Sequence, residues 1–341
     1  MAERFDFQGP LRGARFSEAT TPGFSPADGA VPPQSPAESR VQDPFYGPDG
    51  LHAGWRLLIF MGIVAAPICA IYLLRKAFGN EQAQQAQELT AGLTILGEGI
   101  SFLLLWLATW VMTRIEGRTL GDYGLPGRKA FGKGFWQGAL VGFVAMTGLL
   151  VALRVLGVFN FGSMALHGLG LVRYAALWGA AFVLVGFVEE FAVRGYVLFT
   201  LATSIGFWPS AILLSALFGY GHLGNHGEDW LGALTAGSAG FLFCLILRRT
   251  GDLWMAIGFH AAWDWAETFF YGVPDSGVVA PGHMLNPSFH GSNLLTGGTV
   301  GPEGSLLCLV VLVVCWVFFH LWLRQAKYPN PAAVGPRWHR A

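Results

Sequence analysis

Two adjacent carboxylates, Glu189 and Glu190, sit in Phe187-Val188-Glu189-Glu190-Phe191-Ala192-Val193-Arg194-Gly195, with Arg194 four residues after the second. All three charges lie inside an apolar run, 171–200. Ionisable groups at membrane depth are costly, and function is the usual reason for keeping them. Only 12% of the chain is charged, so three charges gathered here call for a cause. On a helix, Glu190 and Arg194 face each other with the glutamate first, the more favourable order. Glu189 is turned by roughly 100° from Glu190, because a helix has 3.6 residues per turn. The spacing predicts a division of labour in which Arg194 neutralises Glu190 and Glu189 stays free to accept a proton. The plain alternative is an ion pair that locks two helices together.

Two further stretches carry polar chemistry in apolar surroundings. One is Phe218-Gly219-Tyr220-Gly221-His222; the other is His260-Ala261-Ala262-Trp263-Asp264, followed by Glu267. His260, Asp264 and Glu267 share one face of a regular helix. A lone membrane histidine is more often a polar contact between helices. Two histidines and two glutamates on three helices shift the weight towards a site. A carboxylate in such a site can act as general base on a water that a histidine also holds. A second histidine with a polar partner can stabilise the developing oxyanion. The same groups could instead hold zinc or another divalent metal. Glu189, His222 and His260 match the three protein ligands of a catalytic zinc, whose fourth position takes water. The fixed charge of Arg194 opposes a dication unless Glu190 cancels it. Metal-dependent and metal-free hydrolysis both stay open.

The elements that must position these residues are membrane helices. Of 341 residues, 53% are hydrophobic, and mean hydropathy is positive. This composition predicts an all-α polytopic transmembrane helix bundle. Net charge is zero, which gives no electrostatic case for nucleic acid. The four cysteines form no C-x-x-C pair, so neither a disulfide framework nor a zinc-thiolate site is expected. About eight apolar runs approach the roughly 20 residues a bilayer requires. They cover 55–74, 93–112 (with one buried acid, Glu98), 135–155, 171–200, 207–221 (ending at His222), 230–247, 253–271 and 306–323. Helices four and five would pair antiparallel near Ser204. At 1.5 Å per residue, Glu189 then lies roughly 18 Å and His222 roughly 21 Å from that turn, nearly level. His260, roughly 10 Å into its helix on the same rise, needs tilt or a deeper start.

Residues 1–50 are rich in Pro, Gly, Ser and charge, which reads as a disordered cytoplasmic tail. With no apolar stretch near Met1, the first membrane helix is expected to act as an uncleaved insertion signal. Residues 51–170 hold the N-terminal helices and 171–271 the candidate core. Residues 272–305 form a Gly-rich loop, and 306–341 hold the last helix and a C-terminal tail. Basic residues concentrate at Arg114, Arg118, Arg128, Lys129 and Lys133, at Arg248 and Arg249, and at Arg324, Lys327, Arg337 and Arg340. Positive-inside bias then places both termini in the cytoplasm and 272–305 outside, with Arg75 and Lys76 as the exception. His283 and His290 in that loop are expected to be solvated.

At these residues the sequence resembles a known family, the CAAX protease and bacteriocin-processing (Abi) family of intramembrane proteases. Its pattern is E-E-x-x-x-R, then F-x-x-x-H, then H-x-x-x-N or H-x-x-x-D on successive membrane helices. Glu189-Glu190 with Arg194, Phe218 with His222, and His260 with Asp264 fit it in order and spacing. The resemblance implies an intramembrane endopeptidase, or CAAX prenyl protease-like hydrolase, acting on a membrane-associated protein or peptide, while the tail and the orientation suggest a cell membrane of bacterial inner-membrane type. It implies that Glu189 activates water with His222 and that Glu190 and Arg194 orient and neutralise. His260 and Asp264 would form the oxyanion or metal side. Asp264 stands where prenyl-processing members typically have Asn, and a carboxylate donates no hydrogen bond unless protonated. An inactive bacteriocin-immunity or scaffold protein and a small-solute or proton transporter are the rival readings. Motifs of other intramembrane proteases, H-E-x-x-H, G-x-G-D and G-x-S-G, are missing.

Overall fold

The computed structural model of the protein describes residues 45–47, 50–78, 90–225 and 227–328. The expected tail lies outside these residues except at its last few positions, as do Arg337 and Arg340. The described chain is a helical bundle. In order, it contains α1 (Ala53–Phe78), α2 (Ala91–Glu116), α3 (Lys133–Val155), α4 (Gly168–Arg194), α5 (Tyr196–Ile205), α6 (Phe207–His222) and α7 (Trp230–Thr250). Then follow α8 (Trp254–Asp264), a short α9 (Asn293–Thr296) and α10 (Leu306–Trp322). Among the described residues, five stretches are long and apolar enough to cross a membrane: Ala53–Ile71, Ala91–Glu116, Lys133–Val155, Gly168–Ile205 and Trp230–Thr250. Their outward faces carry exposed Leu, Val and Trp, such as Leu103, Trp136 and Leu140, as helices facing lipid do. The α7 span is the most enclosed of the five, 56% buried against 11% for α1.

All eight apolar runs appear as helix, and two differ from a regular helix. The run over 171–200 breaks at Gly195, whose φ of −80° and ψ of −125° end α4 and start α5. The run over 253–271 is α-helical only to Asp264, then widens to a π-helix over Trp265–Tyr271. Its end is capped by Gly272 in the left-handed region, with the Gly272 N–H bonded to Glu267 O. Helix α8 lies between α3 and α4, and glycines permit both approaches. A Cβ on Gly142 of α3 would overlap the Phe259 carbonyl oxygen, and one on Gly186 of α4 would crowd Ala261 N and Ile257 O. The 272–305 segment is tied down by a two-stranded antiparallel ladder, β3 (Phe159–Met164) with β4 (Leu285–Phe289). A shorter ladder, Tyr46–Gly47 with Gly50–Leu51, precedes α1.

Two polar anchors brace the bundle away from the motifs. At the end of α2, Glu116 is 1% exposed and accepts from Arg56 Nε at 2.9 Å and from the hydroxyls of Tyr123 (2.6 Å) and Tyr196 (2.5 Å). These contacts join α1, α2, the Leu120–Tyr123 turn and α5, and the break at Gly195 is what lets Tyr196 turn towards Glu116. Burial together with the Glu116 charge pushes the Tyr123 hydroxyl well above its ordinary range, so it stays a donor. Elsewhere, Arg248 and Arg249 donate to the carbonyls of Tyr328 and Arg324, and Lys129 pairs with Asp252 at 2.8 Å. The basic segments after α2, α7 and α10 therefore meet at one end of the bundle. Glu116→Ala strands Arg56 in a buried site, a loss of about 3–5 kcal/mol. Thermal melting in detergent is expected to show a large drop for Glu116→Ala and a much smaller one for Tyr123→Phe.

Candidate active site

Helix α4 carries both glutamates on different faces. Glu190 and Arg194 are fully buried and paired, with Nη1 3.2 Å from Oε1. The Arg194 guanidinium lies over the Phe218 ring, 4.4 Å from its centroid, and 5.8 Å from that of Phe243. Its space is opened by Gly240 of α7, where a Cβ would overlap Nη2. Phe218 is therefore a platform for the arginine, a cation–π contact that stabilises a charge removed from water. Glu189 points elsewhere: its side chain is 37% exposed and lines a cavity of about 690 Å³.

His222, His260 and Asp264 line the same cavity. His222 ends α6, and its Nδ1 lies 2.8 Å from the Phe218 carbonyl oxygen. A carbonyl only accepts, so Nδ1 carries the hydrogen, and in the neutral ring Nε2 is left as acceptor. His260 Nδ1 lies 3.0 Å from Glu190 Oε1 and donates to it by the same reasoning. Glu190 thus accepts from both Arg194 and His260. The other ring nitrogen, Nε2, is 3.7 Å from Glu189 Oε2 and 3.5 Å from Asp264 Oδ2. Both separations are longer than a good hydrogen bond. Phe243 of α7 stacks on the His260 ring at 5.3 Å and 20°.

The structure thus brings Glu189, His222, His260 and Asp264 to one cavity and sets Glu190 and Arg194 behind it. For a metal, the distances matter. Among the described residues, the trio of candidate ligands whose atoms all lie within 4.8 Å of one another is Glu267, Asp275 and Glu303, and not Glu189, His222 and His260. Around His260, one ring nitrogen is committed to Glu190, and His222 has one committed to a carbonyl. The cavity residues do not present a gathered three-ligand set. Sequence reasoning missed Phe243, for which no motif signals a stacking partner. Glu98 of α2, which belongs to none of the three motifs, lines this cavity too.

Fold and cavity together define a multi-pass membrane protein whose intramembrane acids and histidines converge on one hollow. Residues 171–266 match the Rce1-like family, type II CAAX prenyl endopeptidases. The match supports the CAAX protease assignment drawn from the three motifs, all of which fall within it, and with it an intramembrane endopeptidase in general. No curated protein and no solved structure matches the chain.

Proposed function

We propose that the cavity hydrolyses a peptide bond of a membrane-associated protein or peptide, with Glu189 as general base and 171–271 as the catalytic core. The observation that carries this reading is the split between the two glutamates. One is sealed with Arg194, and the other faces the cavity with no ion pair nearer than 3.7 Å among the described residues. Water held between the Glu189 carboxylate and His222 Nε2 loses a proton to Glu189, and its oxygen bonds to the scissile carbonyl carbon. The oxyanion that forms is stabilised from the His260 side. Glu190 holds the His260 ring in place, and Asp264 and Glu189 flank the nitrogen that faces the cavity. Glu189 then passes its proton to the departing amine as the C–N bond breaks. General base catalysis of this kind contributes about 10²–10⁴-fold.

This route asks nothing of a metal, in keeping with a ligand set that is not gathered. The same reading sets the protein in a cell membrane with both termini cytoplasmic, and the basic residues that meet at one end of the bundle support it. Purified protein, stripped with a chelator selective for transition metals and assayed on a membrane peptide, is expected to keep its activity with no stoichiometric transition metal by elemental analysis. Activity lost on stripping and restored by one equivalent of zinc would overturn the metal-free route.

A further inference from the structure

Three carboxylates that the proposed hydrolysis does not use meet beyond the end of α8. Glu267 lies on the π-helical turns, Asp275 in the segment that follows, and Glu303 in the 3-10 turn Pro302–Gly304 before α10. All three fall outside the segment that matches the protease family. One oxygen from each lies within 4.8 Å of the others. Glu267 is fully buried, and neither of its carboxylate oxygens has a hydrogen-bond partner among the described residues. The other two are held from outside the cluster. Thr268 Oγ1 donates to Asp275 Oδ2 at 2.8 Å, and Trp263 Nε1 donates to Glu303 Oε1 at 2.8 Å. Among the described residues, no lysine, arginine or histidine forms a salt bridge with any of the three.

A buried carboxylate with both oxygens unsatisfied is costly. Three like charges at this spacing also repel one another in a medium less polar than water. Positive charge placed between them removes both problems at once. Thr268 and Trp263 each hold one oxygen of Asp275 and Glu303, as the supporting hydrogen bonds of a metal site do, and Ser276 Oγ lies 3.5 Å from the other Glu303 oxygen. A set made only of carboxylate oxygens suits a hard cation and not a thiophilic or imidazole-seeking one.

We propose that Glu267, Asp275 and Glu303 bind a hard divalent cation such as calcium, which ties the 272–305 segment to the end of α8. Asp275 and Glu303 also line the cavity that holds Glu189, His222 and His260. Trp263, which donates to Glu303, immediately precedes Asp264. The ion acts as a brace for one wall of the catalytic hollow. Its ligands come from three separate places in the chain, so binding orders the connecting segments as it occurs.

Terbium is a suitable probe because it occupies calcium sites and its emission is excited through a nearby tryptophan, here Trp263. Purified protein in detergent is expected to give saturable terbium emission that calcium displaces and a monovalent salt at the same ionic strength does not. Glu267→Gln and Asp275→Asn are expected to weaken terbium binding at least tenfold. Both variants lessen the repulsion, so without the ion they should melt no lower than the wild type. Calcium should raise the melting temperature of the wild type and leave that of Glu267→Gln unmoved. Emission that does not saturate, or that is as strong and as tight in the variants, would overturn the site. Equal displacement by the monovalent salt would overturn the divalent assignment. A wild-type melting temperature indifferent to calcium but falling as pH rises would show protons, not a metal, between the carboxylates.

Discussion

Glu189→Gln is expected to reduce turnover by about 10²–10⁴-fold, the usual contribution of a general base, and to leave the protein folded and inserted. The amide fills the same volume but cannot take a proton from water. Its effect on melting is expected to be small, because the Glu189 side chain is 37% exposed to the cavity and holds no partner closer than 3.7 Å. Circular dichroism and thermal melting of the purified variant, beside a peptide-cleavage assay, separate the two effects. Substantial remaining cleavage would remove Glu189 from the role of base.

Its neighbour is expected to behave in the opposite way. Glu190→Gln leaves the Arg194 guanidinium fully buried without a countercharge, and breaking such a pair costs about 3–5 kcal/mol. Low yield and a clearly lower melting temperature are expected, with activity lost alongside. The double variant Glu190→Gln/Arg194→Met tells folding from chemistry. Replacing a buried ion pair with matched uncharged groups is often neutral or stabilising, so melting should recover in large part. Activity should not, because the His260 ring has lost the carboxylate that accepts from its Nδ1 at 3.0 Å. Equal expression and equal melting of Glu189→Gln and Glu190→Gln would contradict the separation of roles.

The parts of this arrangement that were legible in the sequence are those governed by local spacing. Apolar run lengths mark the helices, since a bilayer demands length and apolarity together. The i,i+4 rule brings Glu190 to Arg194. Two features hid from that rule. Gly195 sits in a continuous apolar run, and only its backbone geometry, not its neighbours, shows that α4 stops there. Regular helical spacing also sets Glu267 on the face of His260 and Asp264. The π-helix from Trp265 onward turns it to Asp275 and Glu303 instead, because i→i+5 bonding changes the angle between residues. Long-range partners left no local trace at all. Arg56, Tyr123 and Tyr196 meet on Glu116 from three other elements. Phe243 reaches His260 from α7.

The central claim is that this cavity cuts peptide bonds with water activated at Glu189. Its most direct test incubates membranes from cells carrying the wild type, and from cells carrying Glu189→Gln at matched levels, in water enriched in ¹⁸O and compares the membrane-derived peptides released. The account predicts membrane-derived fragments present only with the wild type, each with the heavy oxygen in its new C-terminal carboxylate. Identical fragment sets from the two cells would contradict it.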